Sequence, residues 1–286
     1  MEQRGHEPVM AAQVTELLSG RGTVLDLTLG AGGHAEALLE AGVDRVVGVD
    51  RDPDAIEMAT ERLARFGSRF VAVLARFSQM PVENRVDGVL FDLGVSSMQL
   101  DRPERGFSYR QPGPLDMRMG ADGETAMDLV NSAPEEELAR IVFEYGEEHR
   151  SRRVAAAIVR ARSRRPIQTT DELARIVAGA LGSRRGGPHP ARRTFQALRI
   201  AVNGELEELT ASLPRAAAIL APAGRLVAIS YHSLEDRITK RYLLQDRTLQ
   251  ILTKKPLTPS KAESARNPRS RSAKLRAAEK LAEEAA

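Results

Sequence analysis

The side chains best suited to chemistry fall where apolar runs end. Asp92-Leu93-Gly94-Val95-Ser96-Ser97-Met98-Gln99 follows the run Val86 to Phe91, and His232-Ser233-Leu234-Glu235-Asp236-Arg237 follows Gly224 to Tyr231. A carboxylate at Asp92 and an imidazole at His232 can each accept a proton or hold a donor against a reacting atom. Ser96, Ser97 and Gln99 add groups able to grip an amine or hydroxyl. A third carboxylate, Asp50, closes the run Arg45 to Asp50. The chain has no cysteine, so a thiol nucleophile, a disulfide and a thiolate metal site are excluded. Its five histidines lack the close spacing of zinc ligands, and no metal is expected.

The element that must position these groups is Thr23 to Asp50, which reads as strand, glycine turn, helix, strand. Glycines at 30 and 32 let a backbone approach a ligand closely, and the helix that follows starts with free N–H groups. Asp50, about 20 residues past the first glycine, is where an acid can accept hydrogen bonds from ribose hydroxyls. Gly30-x-Gly32-x-x-Ala35 also satisfies the dinucleotide fingerprint, so the turn alone leaves a dinucleotide, S-adenosylmethionine or a plain βα turn open. Two residues favour S-adenosylmethionine. Asp26, inside the first strand, needs a cationic or hydrogen-bonding partner if buried, and His34 is polar where a pyrophosphate site keeps a small side chain.

The remaining pattern is α/β. A helix from Pro53 to Phe66 and a strand from Arg69 to Leu74 precede Phe77, placed at a strand end to pack on an adenine ring or to serve as ordinary core. Between Asp92 and Gly224 lie 131 residues, far more than a crossover needs. Their pattern is helical, with Ser132-x-x-Glu135 and Thr169-x-x-Glu172 read as capping boxes. The expected organisation is a core from 1 to 105, an inserted all-helical substrate-binding domain from 106 to 213, the rest of the core from 214 to 253, and a basic tail from 254 to 286. Phe107 and Tyr109 are candidates to stack on a base, and His6 could approach the site. Arg150 to Arg165 holds seven arginines and no acid; Lys254 to Lys280 holds nine Lys/Arg against Glu263 and Glu279. Each reads as a phosphate-backbone footprint or as a solvated face, with the tail expected to pack little by itself. No apolar run approaches membrane-spanning length and no signal-like segment opens the sequence, so a cytoplasmic protein is expected.

Several longer stretches resemble the bacterial MraW/RsmH methyltransferases: GAGGH (30 to 34), VDRDP (49 to 53), DLGVSSMQLD (92 to 101), RGFSY (105 to 109), GPLDMRM (113 to 119), RRTFQALRIAVNGEL (192 to 206), ISYHSLEDRITKR (229 to 241) and NPRSRSAKLRAAEK (267 to 280). The resemblance implies a Rossmann-like class I methyltransferase core with an inserted helical domain, S-adenosylmethionine as cofactor, and methylation of the N4 amine of a cytidine in small-subunit ribosomal RNA. It implies cofactor contacts at Gly33, His34, Ala35, Asp50, Phe77, Asp92 and Gln99, beside Gly32 from the turn itself. Leu27 departs from the family's usual glycine in the first strand. The missing cysteine agrees with an exocyclic amine as target, because methylating cytosine C5 requires a covalent nucleophile. Asp92 and His232 are then the catalytic candidates. The rivals are a non-catalytic RNA-binding assembly factor and a DNA amino-methyltransferase, although the latter's acid-or-Asn/Pro-Pro-aromatic tetrad is replaced by Asp92-Leu93-Gly94-Val95. A dehydrogenase is the weakest rival. The partner expected is ribosomal RNA or the small subunit, with the chain a monomer or homodimer.

Overall fold

A computed structural model of the chain describes residues 8–80, 84–182 and 187–282; His6 lies outside them. The chain divides into two compact units, residues 1–94 with 206–286, and residues 95–205. The sequence pattern predicts these boundaries at 105/106 and 213/214.

In the first unit, α1 (Ala11–Leu18) precedes β1 (Thr23–Asp26), α2 (Gly33–Glu40), β2 (Arg45–Asp50), α3 (Pro53–Leu63), β3 (Phe70–Leu74) and β4 (Val86–Asp92). The sheet order is β3-β2-β1-β4-β5-β7-β6, where β5 is Leu220–Ser230, β6 is Leu249–Ile251 and β7 is Lys274–Lys280. The five strands from β3 to β5 run parallel, and β7 joins antiparallel to both β5 and β6. Strand order reverses between β1 and β4, the crevice where open α/β sheets bind ligands. Register then sets the site: Asp26 pairs with Gly48 and Leu90, so Asp50 and Asp92 each lie two residues further along on the same edge. Apolar side chains cover both faces, with Val24, Leu38 and Val46 in one layer and Leu25, Phe91 and Leu213 in the other.

The stretch from Lys254, expected as a loose tail, instead folds back into α12 (Lys261–Arg266) and β7. Several of its charges are paired within the first unit. Arg276, buried in the strand, donates through Nε to Asp236 Oδ1 at 2.7 Å, and Arg225 Nε donates to Glu279 Oε2 at 2.8 Å. Without β7, one edge of β5 would lose its ladder over six residue pairs.

The second unit holds α4 (Ser97–Asp101), α5 (Ala126–Ser132), α6 (Glu135–Glu144), α7 (Ser151–Arg162), α8 (Thr170–Leu181) and α9 (Arg192–Asn203) around Leu138, Ile141, Val142, Val154, Ile158, Leu173, Val177 and Leu198. The Thr169/Glu172 capping box forms. The one expected at Ser132 does not, because Ser132 ends α5 and Pro134 occupies the N-cap of α6. Glu135, Glu136 and Glu137 in the first turn of α6 complement the helix dipole instead. Phe107, expected as a stacking platform, is buried in this core. Tyr109 is already stacked on His189, with centroids 4.9 Å apart, and meets Phe195 edge-on. The GPLDMRM loop is fixed by buried Asn203, whose Oδ1 accepts from Met119 N and whose Nδ2 donates to Met117 O, both at 2.8 Å. Helices α10 (Glu205–Ala218) and α11 (Ser233–Gln245) flank β5 in sequence.

Candidate active site

The glycine turn is built to lie close to its surroundings. Gly32 caps α2 at φ +79°, and a Cβ there would stand 3.0 Å from Leu63 Cδ1, so both conformation and space favour glycine. Gly33 opens α2, and the next residues, His34 and Ala35, are buried. Asp50 ties the end of β2 to this turn: its Oδ2 accepts from Gly30 N at 2.8 Å and its Oδ1 from Asp52 N at 3.0 Å. Burial raises its carboxyl pKa, and those backbone donors partly offset the rise.

Asp26 is 1% exposed. Its Oδ1 accepts from Thr28 N at 3.1 Å, whereas Oδ2 is buried with no partner among the described residues. Desolvation pushes this carboxyl up to about 6, against the opposing pull of His34 and the Thr28 bond. An orphaned acceptor of this kind calls for a ligand cation or donor.

Asp92 ends β4 and is held from three sides. Its N–H donates to Thr28 Oγ1 at 2.6 Å, its Oδ1 accepts from the Tyr231 hydroxyl at 2.7 Å, and its Oδ2 lies 3.3 Å from His34 Nε2. The His34 contact is an ion pair off the hydrogen-bond line, and the imidazole's Nδ1 also has no partner among the described residues. Desolvation disfavours the imidazolium, but Asp92, Asp26 and Glu263 outweigh it and the His34 pKa rises. Burial and the adjacent Asp92 push the Tyr231 phenol up, keeping it a neutral donor.

His232 has a different task. It is the N-cap of α11: Nδ1 accepts from Glu235 N at 3.5 Å, while Glu235 Oε2 accepts from the Tyr231 and His232 N–H groups at 2.8 and 3.3 Å. Phe77 opens a short 3₁₀ turn after β3 and packs edge-on against Phe91, with centroids 5.9 Å apart. Gln99 belongs to the other unit, where it forms a capping box with Ser96 at the start of α4.

Asp26, His34, Asp50, Asp92 and Tyr231 therefore gather at one end of the first unit. Tyr231 was missed as a site residue because its partner is 139 residues away in sequence; the only local signal was its place at a strand end beside His232. Glu263 was also missed. Its carboxylate accepts from Met10 N at 2.7 Å, bringing the C-terminal segment to the start of α1.

A sheet of this order, with a glycine turn after its first strand and an acid closing its second, defines a class I S-adenosylmethionine-dependent methyltransferase fold. The chain belongs to the MraW methylase family, whose model matches residues 3–281. Two relatives named ribosomal RNA small subunit methyltransferase H are similar over nearly their whole length. One, from Methylobacterium sp. (strain 4-46), is 50% identical over 96% of this chain and 90% of its own. The other, from Deinococcus deserti, is 51% identical over 96% and 93%. Among solved structures, an rRNA methylase from Streptococcus thermophilus is similar at TM-score 0.45 and 12% identity, over 95% of this chain and 94% of that one.

Proposed function

We propose that this chain methylates the exocyclic N4 amine of a cytidine in small-subunit ribosomal RNA. The observation that carries the reading is the Asp92 carboxylate, held by the Tyr231 hydroxyl on a backbone that Thr28 anchors, at the switch point of a methyltransferase sheet. The printed names of the relatives support the substrate class, and the absence of cysteine supports an amine over a ring carbon.

S-adenosylmethionine supplies a methyl group on a sulfonium when bound and leaves as the neutral thioether. The residues present suit it. The orphaned Asp26 oxygen offers a carboxylate to the amino-acid ammonium, Asp50 keeps free lone pairs for ribose hydroxyls, and Gly32, Gly33, His34 and Ala35 form a close-approach turn. Phe77 would pack on the adenine, and Asp92 would complete the contacts within the first unit.

The N4 lone pair is delocalised into the ring, so the amine must be held in line and drawn towards tetrahedral geometry. Asp92 accepts a hydrogen bond from the amine N–H. As the N4–methyl bond forms and the S–methyl bond breaks, the nitrogen loses one proton, which Asp92 accepts. Tyr231 holds one oxygen of Asp92 so that the carboxylate cannot rotate away. His232 supports the substrate side by fixing the end of β5 through its capping of α11.

The test is methyl transfer from labelled S-adenosylmethionine to purified small ribosomal subunits and to naked ribosomal RNA, followed by nucleoside mass spectrometry. N4-methylcytidine is the expected product. Intact cofactor and RNA binding with no label on either substrate would instead identify a non-catalytic assembly factor.

A further inference from the structure

Helix α7 stands apart from the helices packed beside it in how its charges are arranged. On α6, Arg140 pairs with both Glu137 and Glu144. On α8, Arg175 pairs with Asp171, while Glu172 takes Arg165 from the loop before it. Helix α7 contains no acid, and Arg152, Arg153, Arg160 and the following Arg164 are exposed with no hydrogen-bond or ion-pair partner for their side chains among the described residues. At about 100° per residue Arg153 and Arg160 fall on one face, opposite buried Ser151, Val154, Ala155 and Ile158, with Arg152 at its flank and Arg164 in the turn just past the helix end. Only the small Ala156 and Ala157 lie among them.

At its start this arrangement works against the helix. Arg152 and Arg153 sit in the first turn, where the helix dipole repels cations, whereas Arg160 in the last turn is favoured by it. Helices α6 and α8 carry acids in their first turns. Local stability therefore accounts for the charges of α6 and α8 and not for the first-turn arginines of α7. A second feature adjoins the ridge. Phe143, 52% exposed, makes an edge-on contact with His149 at 6.2 Å, and both line a hollow with Arg152, Arg140, Glu135 and Glu136. Arginines along a smooth face bind phosphates, and an exposed ring beside them stacks an unpaired base, with neighbouring carboxylates able to accept from a base amino group.

We infer that the exposed face of α7, with Phe143 at its edge, is a docking surface for a single-stranded segment of the RNA substrate. The phosphates run along Arg153, Arg160 and Arg164, and one base stacks on Phe143 near Arg152. The choice of RNA as partner rests on the function proposed above.

The experiment uses the full chain and a fluorescein-labelled, unstructured RNA oligonucleotide, with anisotropy titrations between about 50 and 200 mM salt. The variant Arg153→Ala/Arg160→Ala/Arg164→Ala should bind more weakly and flatten the log–log salt slope by about 2, since each lost single-strand contact removes about 0.7. Its thermal midpoint should stay close to that of the unaltered chain, because an unfavourable first-turn charge and a favourable last-turn charge are lost together. Arg175→Ala should leave the slope unchanged, and Phe143→Ala should weaken binding about tenfold at an unchanged slope. Unaltered affinity and slope in the triple variant would overturn the surface. So would a triple variant that loses binding to phosphatidylserine vesicles while retaining RNA. Nucleoside analysis separates the two claims: a triple variant that binds and methylates RNA normally refutes the ridge and leaves the N4 reading standing. Ridge-dependent RNA binding without any methylated cytidine refutes the N4 reading and leaves the ridge.

Discussion

The ends of β4 and β5 are neighbouring strand ends, each marked in sequence by a titratable side chain, yet the two side chains are used differently. Asp92 accepts a hydrogen bond from Tyr231 and an ion-pair contact from His34, and keeps lone pairs on both oxygens. The Nδ1 of His232 is occupied by the backbone of α11, and its buried Nε2 lies 3.1 Å from Glu235 Oε1 without a hydrogen-bond partner among the described residues. A residue suited to acid–base chemistry becomes available for it only when its structural partners leave a lone pair or proton unspent. Asp92 meets that condition on both oxygens, whereas His232 has one nitrogen committed to the helix cap and the other buried against a carboxylate, and the β5 end contributes Tyr231 as the clamp.

Removing that clamp should show the contrast most strongly among the changes around Asp92. Tyr231→Phe deletes a hydrogen bond to a charged group, typically about 1.5–3 kcal/mol, so single-turnover methyl transfer should fall about 10- to 100-fold. Affinity for S-adenosylhomocysteine should change little, and rates within a few-fold of the unaltered chain would show that Asp92 needs no clamp. Asp26 extends the comparison to the third carboxylate of the same edge. Its folded pKa, about 6, lies above the ordinary 3.8. Its stabilising contribution is therefore complete below about 4 and is lost as pH rises through about 6, a span worth about 3 kcal/mol. Asp26→Asn should flatten that part of a pH series of chemical denaturations; an unchanged series would remove Asp26 as its cause. A cationic cofactor head group reverses the preference, so S-adenosylhomocysteine affinity should weaken as pH falls below about 6 in the unaltered chain and stay flat in Asp26→Asn. The smallest effect belongs to the β5 end. His232→Ala removes an N-cap, about 1 kcal/mol in thermal or chemical unfolding. His232→Asn should recover most of it, with single-turnover rates close to those of the unaltered chain. A rate loss in His232→Asn matching that of an Asp92 variant would abolish the distinction.

Local features of the site were legible because their physics is local. The turn at Gly30 and Gly32, the acid ending β2 and the capping box at Thr169 all depend on residues within one supersecondary unit. The helical insertion was legible from its 3.6-residue stripes. Pairings made across the chain were not. Tyr231 reaches Asp92 across 139 residues, and Arg276 reaches Asp236 across 40. The second of these explains why a strand was taken for a tail: its charges look solvated until their partners are known. At Ser132 a valid box pattern lost to Pro134, and Phe107 was taken for an exposed platform because one aromatic in a glycine-rich loop carries no periodicity to reveal burial.

The most direct test of the account is the single-turnover rate of Asp92→Asn with labelled S-adenosylmethionine and small-subunit RNA, measured beside calorimetric binding of S-adenosylhomocysteine to the same variant. Asparagine keeps the shape and a hydrogen-bond acceptor but cannot take the proton. The expected result is a rate lower by about 100-fold or more, with the product analogue still bound and the fold intact. A rate equal to that of the unaltered chain would contradict the assignment of Asp92 as the proton acceptor.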